Sequence, residues 1–285
     1  MKPAPFTYHA PATLESALAT LAEVAPQDGR VLAGGQSLVP TMAFRLSRPA
    51  HLVDINGVAG LDRLAADRGE LAIGACVRHA AFHRPVGDGP LGRLLATVVR
   101  HIAHYPIRVR GTFCGSLAHA DPASEWCLVA ATLGANMIAR SVKASRTIAA
   151  PEFFQGALTT ALEEGELLAE ARLPLLAADT RFGFHEFSRR AGDYAIAMAL
   201  ATFRLADNRI TDARIGIGGA EGCARRIAEA EKALNGRAPD APAFRAAAEA
   251  AAAAIDPMDD AQATAGYRRD LVRAVTLRAL EQAAA

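Results

Sequence analysis

Glycines, amides and hydroxyls gather twice in this chain, and in both places the chemistry on offer is the binding of an anion. The first stretch, Val31-Leu-Ala-Gly-Gly-Gln-Ser-Leu-Val-Pro40, runs from apolar residues into a glycine pair, an amide and a hydroxyl, and stops at a proline. Gly34 and Gly35 lack a Cβ and reach positive φ freely, so consecutive N–H groups can turn toward one ligand while Gln36 and Ser37 add side-chain donors. Taken alone, Gly-Gly-Gln-Ser reads as an ordinary strand-to-helix turn. A second stretch, Ile107-Arg-Val-Arg-Gly-Thr-Phe-Cys-Gly-Ser-Leu-Ala-His-Ala-Asp-Pro-Ala-Ser-Glu125, changes that, because Gly111, Thr112, Gly115 and Ser116 offer backbone donors and hydroxyls again. Two such nests point to one ligand with two phosphates, such as a dinucleotide.

Other chemistry-bearing residues read as bland. His101 and His104, with His119 or Asp121, can be drawn as a metal set, but no fourth ligand falls at a recognised spacing. They read as a polar helix edge and a loop histidine, and no metal is assigned. Cys76, Cys114, Cys127 and Cys223 form no C-x-x-C pair, which argues against a disulfide framework and against a self-contained zinc or iron–sulfur site. A third glycine cluster, Gly216-Ile-Gly-Gly-Ala220, does not open a helix after a single strand and reads as a strand end or bulge.

In their order and composition, Ala33-Gly-Gly-Gln-Ser37 and Arg110-Gly-Thr-x-x-Gly-Ser-x-Ala-His-Ala-Asp-Pro122 resemble the FAD-binding medium subunit of the molybdenum hydroxylases. That family includes carbon monoxide dehydrogenase, bacterial N-heterocycle and purine hydroxylases, and the flavin domain of xanthine dehydrogenase. Two further segments match it: Phe153-Phe154 with the strand after it, and Ser188-Arg-Arg-Ala-Gly-Asp-Tyr-Ala195. The resemblance implies a cofactor set of Leu32, Ala33, Gly34, Gly35, Gln36, Ser37, Leu38, Ile102, Gly111, Thr112, Gly115, Ser116, Asp121, Glu125, Leu168, His185, Asp193 and Tyr194. Leu168 corresponds to a leucine lying against the flavin, although its place also suits a strand core residue. Tyr194 corresponds to an aromatic residue covering one face of the isoalloxazine, where an apolar plate shields the ring while Asp193 fixes the loop through backbone N–H groups. The chain departs from the family at Cys114, which replaces the first of two glycines, and at Val109, where an asparagine is common. A Cβ at 114 narrows the approach of backbone to ligand; the thiol itself reads as small buried packing.

The resemblance further implies that FAD on this chain takes electrons from 2Fe–2S clusters on a small subunit. Those clusters are fed by a molybdopterin cofactor on a large subunit, where the substrate is oxidised, and the assembly is a dimer of heterotrimers. No acid–base catalyst is named here, because the cofactor does its own redox chemistry. A stand-alone FAD oxidoreductase with its own substrate pocket, and a non-catalytic nucleotide-binding module, are the alternatives.

The rest of the chain must position these groups. Its 285 residues are 51% hydrophobic, enough for two domains with sizeable cores. With 31 Lys and Arg against 30 Asp and Glu, the net charge of +1 gives no footprint for nucleic acid or an anionic membrane. The amino terminus has no apolar leader, and no uncharged run reaches the roughly 18 residues of a membrane span, so a cytoplasmic protein is expected.

Periodicity predicts an edge strand at residues 6 to 8, a helix capped by Thr13, a strand at 30 to 33 feeding the first nest, a short helix at 41 to 46 and a buried strand at 51 to 55. With strands near 61 to 64 and 71 to 74, these should close a small α/β unit around the first motif, ending near residue 85. Leu91, Leu94, Leu95, Val98, Val99 and Ile102 predict one helical face delivering the chain to the second nest. A buried helix at 126 to 133 and strands at 136 to 139 and 146 to 148, with the strand at 166 to 174 that the resemblance implies after Phe153-Phe154, complete the first domain, residues 1 to 175. Residues 176 to 285 should add antiparallel strands at 195 to 205 and 210 to 217, joined at Asp207-Asn208, and helices at 224 to 234, 241 to 255 and 266 to 285. The middle helix is so rich in alanine that shallow burial is expected. The fold class is α+β, which the resemblance refines to a two-part α/β FAD-binding domain of the PCMH type, followed by a small antiparallel sheet with helices of the carbon monoxide dehydrogenase flavoprotein C-terminal type.

Overall fold

The computed structural model describes residues 2 to 285. The chain opens with β1 (Thr7–His9), α1 (Leu14–Val24), β2 (Gly29–Leu32), α2 (Leu38–Ala43) and β3 (His51–Asp54). Thr13 caps α1, its hydroxyl accepting from Ser16 N–H at 3.2 Å while Ser16 reaches back to the Thr13 amide. β3 runs parallel between β1 and β2 in a three-stranded sheet, and Ala17, Leu18, Leu21 and Val24 of α1 are buried.

This small unit is shorter than expected. β4 (Leu64–Asp67) and β5 (Glu70–Gly74) leave it for a second sheet. There they join β6 (Asn136–Arg140), β7 (Ser145–Ala149) and, beyond the hairpin β8 (Phe154–Gly156) and β9 (Thr159–Thr160), the long β10 (Leu167–Pro174). The order β4-β5-β10-β6-β7 is antiparallel throughout. The alternation of 71 to 74 is sound, but nothing local tells which sheet a strand will join.

Between β5 and β6 lie α3 (Pro90–Val98), α4 (Tyr105–Arg108), α5 (Phe113–His119) and α6 (Glu125–Leu133), with α7 (Ala150–Phe153) following β7. The single helix expected before the second motif ends at Val98, so His101 and His104 sit in a turn, not three apart on a helix. Ala103, at φ 41°, breaks the helical path between them. α6 is buried along its whole length and ends at Gly134, whose φ of 72° reverses the chain.

After Pro174 a short connection leads to β11 (Arg181–Phe187), β12 (Ala197–Ala206), β13 (Arg209–Gly218) and β14 (Arg225–Arg226), an antiparallel sheet in that order, covered by α8 (Ala228–Leu234), α9 (Ala241–Ala254) and α10 (Ala265–Ala284). Asp207 and Asn208, both at positive φ, make the tight β12–β13 turn as expected. Arg225 and Arg226 pair with β13, so the eighth helix begins later than its composition suggested.

The expectation of shallow burial for α9 is wrong: Ala243, Phe244, Ala247, Ala248, Ala251 and Ala252 are all buried. Alanine there permits close helix approach against α8 and α10. The two units meet on α6, since a Cβ at Gly216 would meet Thr132 Oγ1 and Leu128, and Arg214 donates to Leu133 O at 2.8 Å. The glycine cluster at 216 to 220 is thus a strand end flattened to receive a helix.

Gly183 gives a test of this packing. A Cβ there would collide with the Ala279 carbonyl and come within 2.9 Å of Ala283 N on α10, whereas one at Gly266 meets nothing. Gly183→Ala should therefore lower the unfolding free energy by about 1–3 kcal/mol, and Gly266→Ala should leave it unchanged or slightly raised. Equal unfolding midpoints for the two variants in urea would contradict this packing.

Candidate cofactor site

The strand β2 ends at Leu32, and the turn after it carries five consecutive N–H groups, from Gly34 to Leu38, with no acceptor among the described residues. Gly35 sits at φ 72°, which lets the chain curl so that these amides converge before α2 begins. The expected helix at 41 to 46 in fact starts at Leu38, directly on the motif. Gln36 turns its amide back onto Gly34 O at 3.0 Å, so it braces the loop. Residues 31 to 38 are all half-buried, which suits a ligand-lined wall.

Gly34 has a different reason to be glycine. A Cβ on it would collide with the Arg110 carbonyl and lie 2.6 Å from Gly111 Cα, so the first motif is pressed directly against the second. No spacing argument along the chain shows this contact.

The second motif is not a second nest. Gly111 N–H is bonded to Ile107 O at 2.8 Å, Gly115 N–H to the Thr112 hydroxyl at 3.0 Å and Ser116 N–H to Thr112 O at 3.1 Å. These amides are engaged, and Thr112, expected as a ligand donor, is the buried N-cap of α5. The amides left without a protein acceptor there are those of Thr112 and Cys114. Glycine is needed at 111 because a Cβ would lie 2.5 Å from the His79 ring. That ring is buried, accepts from Trp126 Nε1 at 2.9 Å, and is held neutral by burial beside Arg78 and Arg108, its pKa falling to about 3. Cys114 points inward, its Sγ donating to Ile73 O at 3.4 Å, and burial pushes the thiol far up. Its side chain does not narrow the ligand wall, and it is the inert packing group expected.

The third segment, residues 188 to 196, arches back toward the first two. Ile196 N–H closes it onto Phe187 O at 2.8 Å, and buried Arg268 holds Ile196 O at 2.8 Å and Gly219 O at 2.7 Å. Gly192, at φ 87°, has the His104 ring where a Cβ would stand. His104, read from the sequence as part of a polar helix edge, therefore backs this arch. The expectation that the Asp193 carboxylate fixes the loop is not met. Asp193 uses only its N–H, to Arg190 O at 3.1 Å, and Ser188 Oγ donates to Arg190 O at 2.9 Å. Tyr194 is 57% exposed, yet its phenol is raised by desolvation and by the Asp121 and Glu125 carboxyls, and drawn down by the Ser37 hydroxyl. One side chain thus touches the fields of all three motifs.

The fold also sets a group that the sequence did not single out, Glu186, beside one that it did, Glu125. Glu125, first residue of α6, is buried, and desolvation raises its carboxyl to about 7, opposed by its own backbone N–H and aided by Asp121. Glu186 on β11 is raised to about 8 by burial and by Glu125, and its Oε2 has no hydrogen-bond partner. His101 Nδ1 lies 3.9 Å from that oxygen, the reach of a salt bridge, but burial and His185 push His101 toward its neutral form. The pair is a neutral contact near pH 7. His185 itself contacts Arg278 and Gln282 of α10, at 3.2 and 3.4 Å, and no residue of the glycine motifs. Ile102 and Leu168 are buried in the apolar core of the first unit. Among the described residues no cluster of His, Cys, Asp or Glu is arranged to hold a metal ion, and no helix is long and apolar enough to cross a membrane.

Both glutamates are more basic folded than unfolded, so their contribution is complete below the unfolded value of 4.5 and is lost as pH rises through about 7 and 8. Urea unfolding of the cofactor-free chain should give a lower free energy at pH 9 than at pH 6, by at least about 1 kcal/mol. Glu186→Gln should flatten that slope. An unchanged slope in the variant would mean that Glu186 ionises normally in the fold.

The family model described as the FAD binding domain in molybdopterin dehydrogenase matches residues 4–176, and that of the CO dehydrogenase flavoprotein C-terminal domain matches residues 182–283. The chain is 37% identical to the nicotine 6-hydroxylase medium subunit of Paenarthrobacter nicotinovorans, over 100% of this chain and 99% of that one. It superimposes on carbon monoxide dehydrogenase from Hydrogenophaga pseudoflava with a TM-score of 0.95 and 33% identity, covering 99% of this chain and 98% of the other. For quinoline 2-oxidoreductase from Pseudomonas putida 86 the TM-score is 0.93 and the identity 37%, over 100% and 98%. The carbonyl-tight glycine of the first motif, the capped helix of the second and the tyrosine arch of the third therefore belong to a known architecture: this chain is a member of the FAD-binding medium-subunit family of the molybdenum hydroxylases, an oxidoreductase flavoprotein.

Proposed function

We propose that the chain is the electron-transfer subunit of a cytoplasmic heterotrimeric molybdenum hydroxylase, with residues 1 to 175 holding FAD and residues 176 to 285 covering the flavin. Electrons arrive from 2Fe–2S clusters on a small subunit, fed by a molybdopterin cofactor on a large one, and leave for an external acceptor. The observation that carries the reading is the run of five amides from Gly34 to Leu38 without an acceptor among the described residues, in a loop pressed against the second motif at Gly34. An uncharged run of inward-turned N–H groups in a half-buried wall suits a pyrophosphate and little else. The relatives whose names mention nicotine and quinoline favour an aromatic N-heterocycle as the substrate of the large subunit. A dimer of heterotrimers is the expected assembly.

The chain's own groups divide the work. Residues Ala33 to Leu38 would hold the pyrophosphate, with the Thr112 and Cys114 amides and the Ser116 hydroxyl on the opposite wall. Tyr194 would lie over the ring, excluding water from it, while the neutral Glu125 and Glu186 add no repulsive charge behind it. When bound, FAD supplies two-electron redox chemistry and the exchange of single electrons with iron–sulfur centres.

Two measurements test this. Gly34→Ala should reduce bound FAD at least about tenfold in a folded chain, whereas Tyr194→Ala should keep the cofactor and change its visible absorbance and fluorescence. Stoichiometric FAD in folded Gly34→Ala would refute the placement. The isolated FAD-loaded chain should also stay oxidised under anaerobic conditions when an N-heterocycle or aldehyde is added, and be bleached once the molybdenum and iron–sulfur subunits are present. Bleaching of the isolated chain at a catalytic rate would replace the subunit reading with a stand-alone oxidoreductase.

A further inference from the structure

The first motif presses on the second through Gly34, but a contact of two backbones has no directional strength of its own. What holds them lies on the far side of the loops from the unpartnered amides. Asn56, in the turn after β3, donates from Nδ2 to Ala33 O at 2.7 Å and to Asp54 Oδ1 at 2.5 Å, while Asp54 Oδ1 also accepts from Asn56 N–H at 2.8 Å. Tyr8 on β1 donates to the other Asp54 oxygen at 2.5 Å. Arg78 then completes the bridge: its Nη2 donates to Asn56 Oδ1 at 2.6 Å and its Nη1 to the Arg110 carbonyl.

The backbone around Arg78 is itself laced to the second motif. His79 N–H bonds Gly111 O at 3.0 Å, Phe113 N–H bonds Val77 O at 3.0 Å, and Arg78 pairs antiparallel with Thr112. One Asn–Arg pair therefore grips the carbonyl just before Gly34 and the carbonyl just before Gly111, the two groups between which the close approach occurs. Because the peptide unit is planar, fixing the Ala33 carbonyl toward Asn56 turns the Gly34 N–H to the opposite side, into line with the amides that follow it. A guanidinium suits this role because its planar fork reaches two acceptors at once in fixed directions, which an ammonium does not.

We propose that Asn56 and Arg78 are positioning residues that set the gap and the amide direction of the two glycine motifs, and through them the affinity for the cofactor's pyrophosphate. This rests on the reading of that site as an FAD site. Neither side chain needs to touch the ligand. The bridge links the three-stranded sheet to the helical segment before α5, so it also couples the two halves of the first unit across the cleft.

The test uses the full chain with four variants: Asn56→Ala, Arg78→Met, Arg78→Lys and, as a control, Arg225→Met, whose partners Glu221 and Ala254 lie in the second unit. FAD affinity is read by quenching of flavin fluorescence, and stability by thermal unfolding of the cofactor-free chain. Asn56→Ala and Arg78→Met should each raise the FAD dissociation constant about tenfold or more, with Arg78→Lys close to Arg78→Met. Arg225→Met should lower the unfolding temperature without changing the dissociation constant. Full recovery in Arg78→Lys would show that the charge acts on the ligand directly and would overturn the positioning role, as would wild-type affinity in both Asn56→Ala and Arg78→Met.

Hydrogen exchange of the cofactor-free chain separates this from failure of the FAD reading. The amides of Val39, His79 and Phe113, bonded within and across the motifs, should exchange faster in Asn56→Ala and Arg78→Met than in Arg225→Met. If wild type binds no FAD, the FAD reading falls, and unchanged exchange at those amides would remove the bridge as well. If wild type binds FAD and the variants match it in affinity and exchange, only the bridge is lost.

Discussion

The contact of Gly34 with the Arg110 carbonyl and Gly111 is the constraint on which the cofactor site depends. It brings a turn from a parallel three-stranded sheet within van der Waals reach of a helix N-terminus built on a different, antiparallel sheet. Glycine is required on both sides for steric reasons, and the unusual dihedral falls on neither of them: it falls on Gly35, one residue further on. The two glycines of the first motif thus do separate jobs. One permits the approach, and the other turns the following amides inward.

Everything behind the second motif stiffens that approach. Phe113 and Trp126 stack with ring centroids 4.9 Å apart, Phe82 packs edge-on to Trp126 at 5.3 Å, and His79 is wedged between this cluster and Gly111. Burial keeps His79 neutral, so it accepts the indole proton without bringing a charge into the core. α6 continues from the same cluster and carries the second unit on its flank, where Gly219 N–H bonds Pro122 O at 2.8 Å. The arch bearing Tyr194 is consequently located relative to the glycine motifs by rigid elements, although its tip is exposed. Precision at the site comes from helices and sheets, while the surfaces that would meet a ligand are loops.

Much of this was legible in the sequence and some could not be. Local pattern identified α6, the β12–β13 hairpin and the Thr13 cap, because each depends on residues within one or two turns of chain, while β10 came with the family resemblance. The family motifs singled out Gly34, Gly35, Glu125 and Tyr194 for the same region, and Ser37, Asp121, Glu125 and Tyr194 do meet in one field. What was missed depends on partners distant in the chain. The engaged amides of Gly111 and Gly115 look like free donors until the Thr112 cap is formed, and Gly115, like Gly111, has room for nothing larger, with Thr112 Oγ1 at 2.6 Å. Nothing in the sequence around Glu186 singles it out. Only burial beside Glu125 makes it unusual. The burial of α9 was misjudged because alanine contributes little area, yet it lets α8 and α10 come close.

The electrostatics of the site follow from the same burial. On the reading proposed above, a pyrophosphate at Gly34 to Leu38 would share its surroundings with the Asp121 and Glu125 carboxyls, whose fields reach Tyr194 beside Ser37, and would be repelled by them if both were ionised. Desolvation eases the conflict by raising Glu125 to about 7 and the neighbouring Glu186 to about 8, so near neutrality the first is about half protonated and the second mostly so. Asp121, half-buried, uses Oδ1 to accept from Ala123 N–H at 2.9 Å and so serves the turn into α6. The positive end of the site is made from backbone N–H groups alone, with Arg78 and Arg110 committed to holding the loops or exposed beyond them. A wall of neutral donors backed by largely uncharged acids would bind a dinucleotide without a fixed counter-charge, and would leave the potential of a flavin to be set by what covers the ring. On the reading proposed above that cover would be Tyr194, whose raised phenol stays protonated and uncharged.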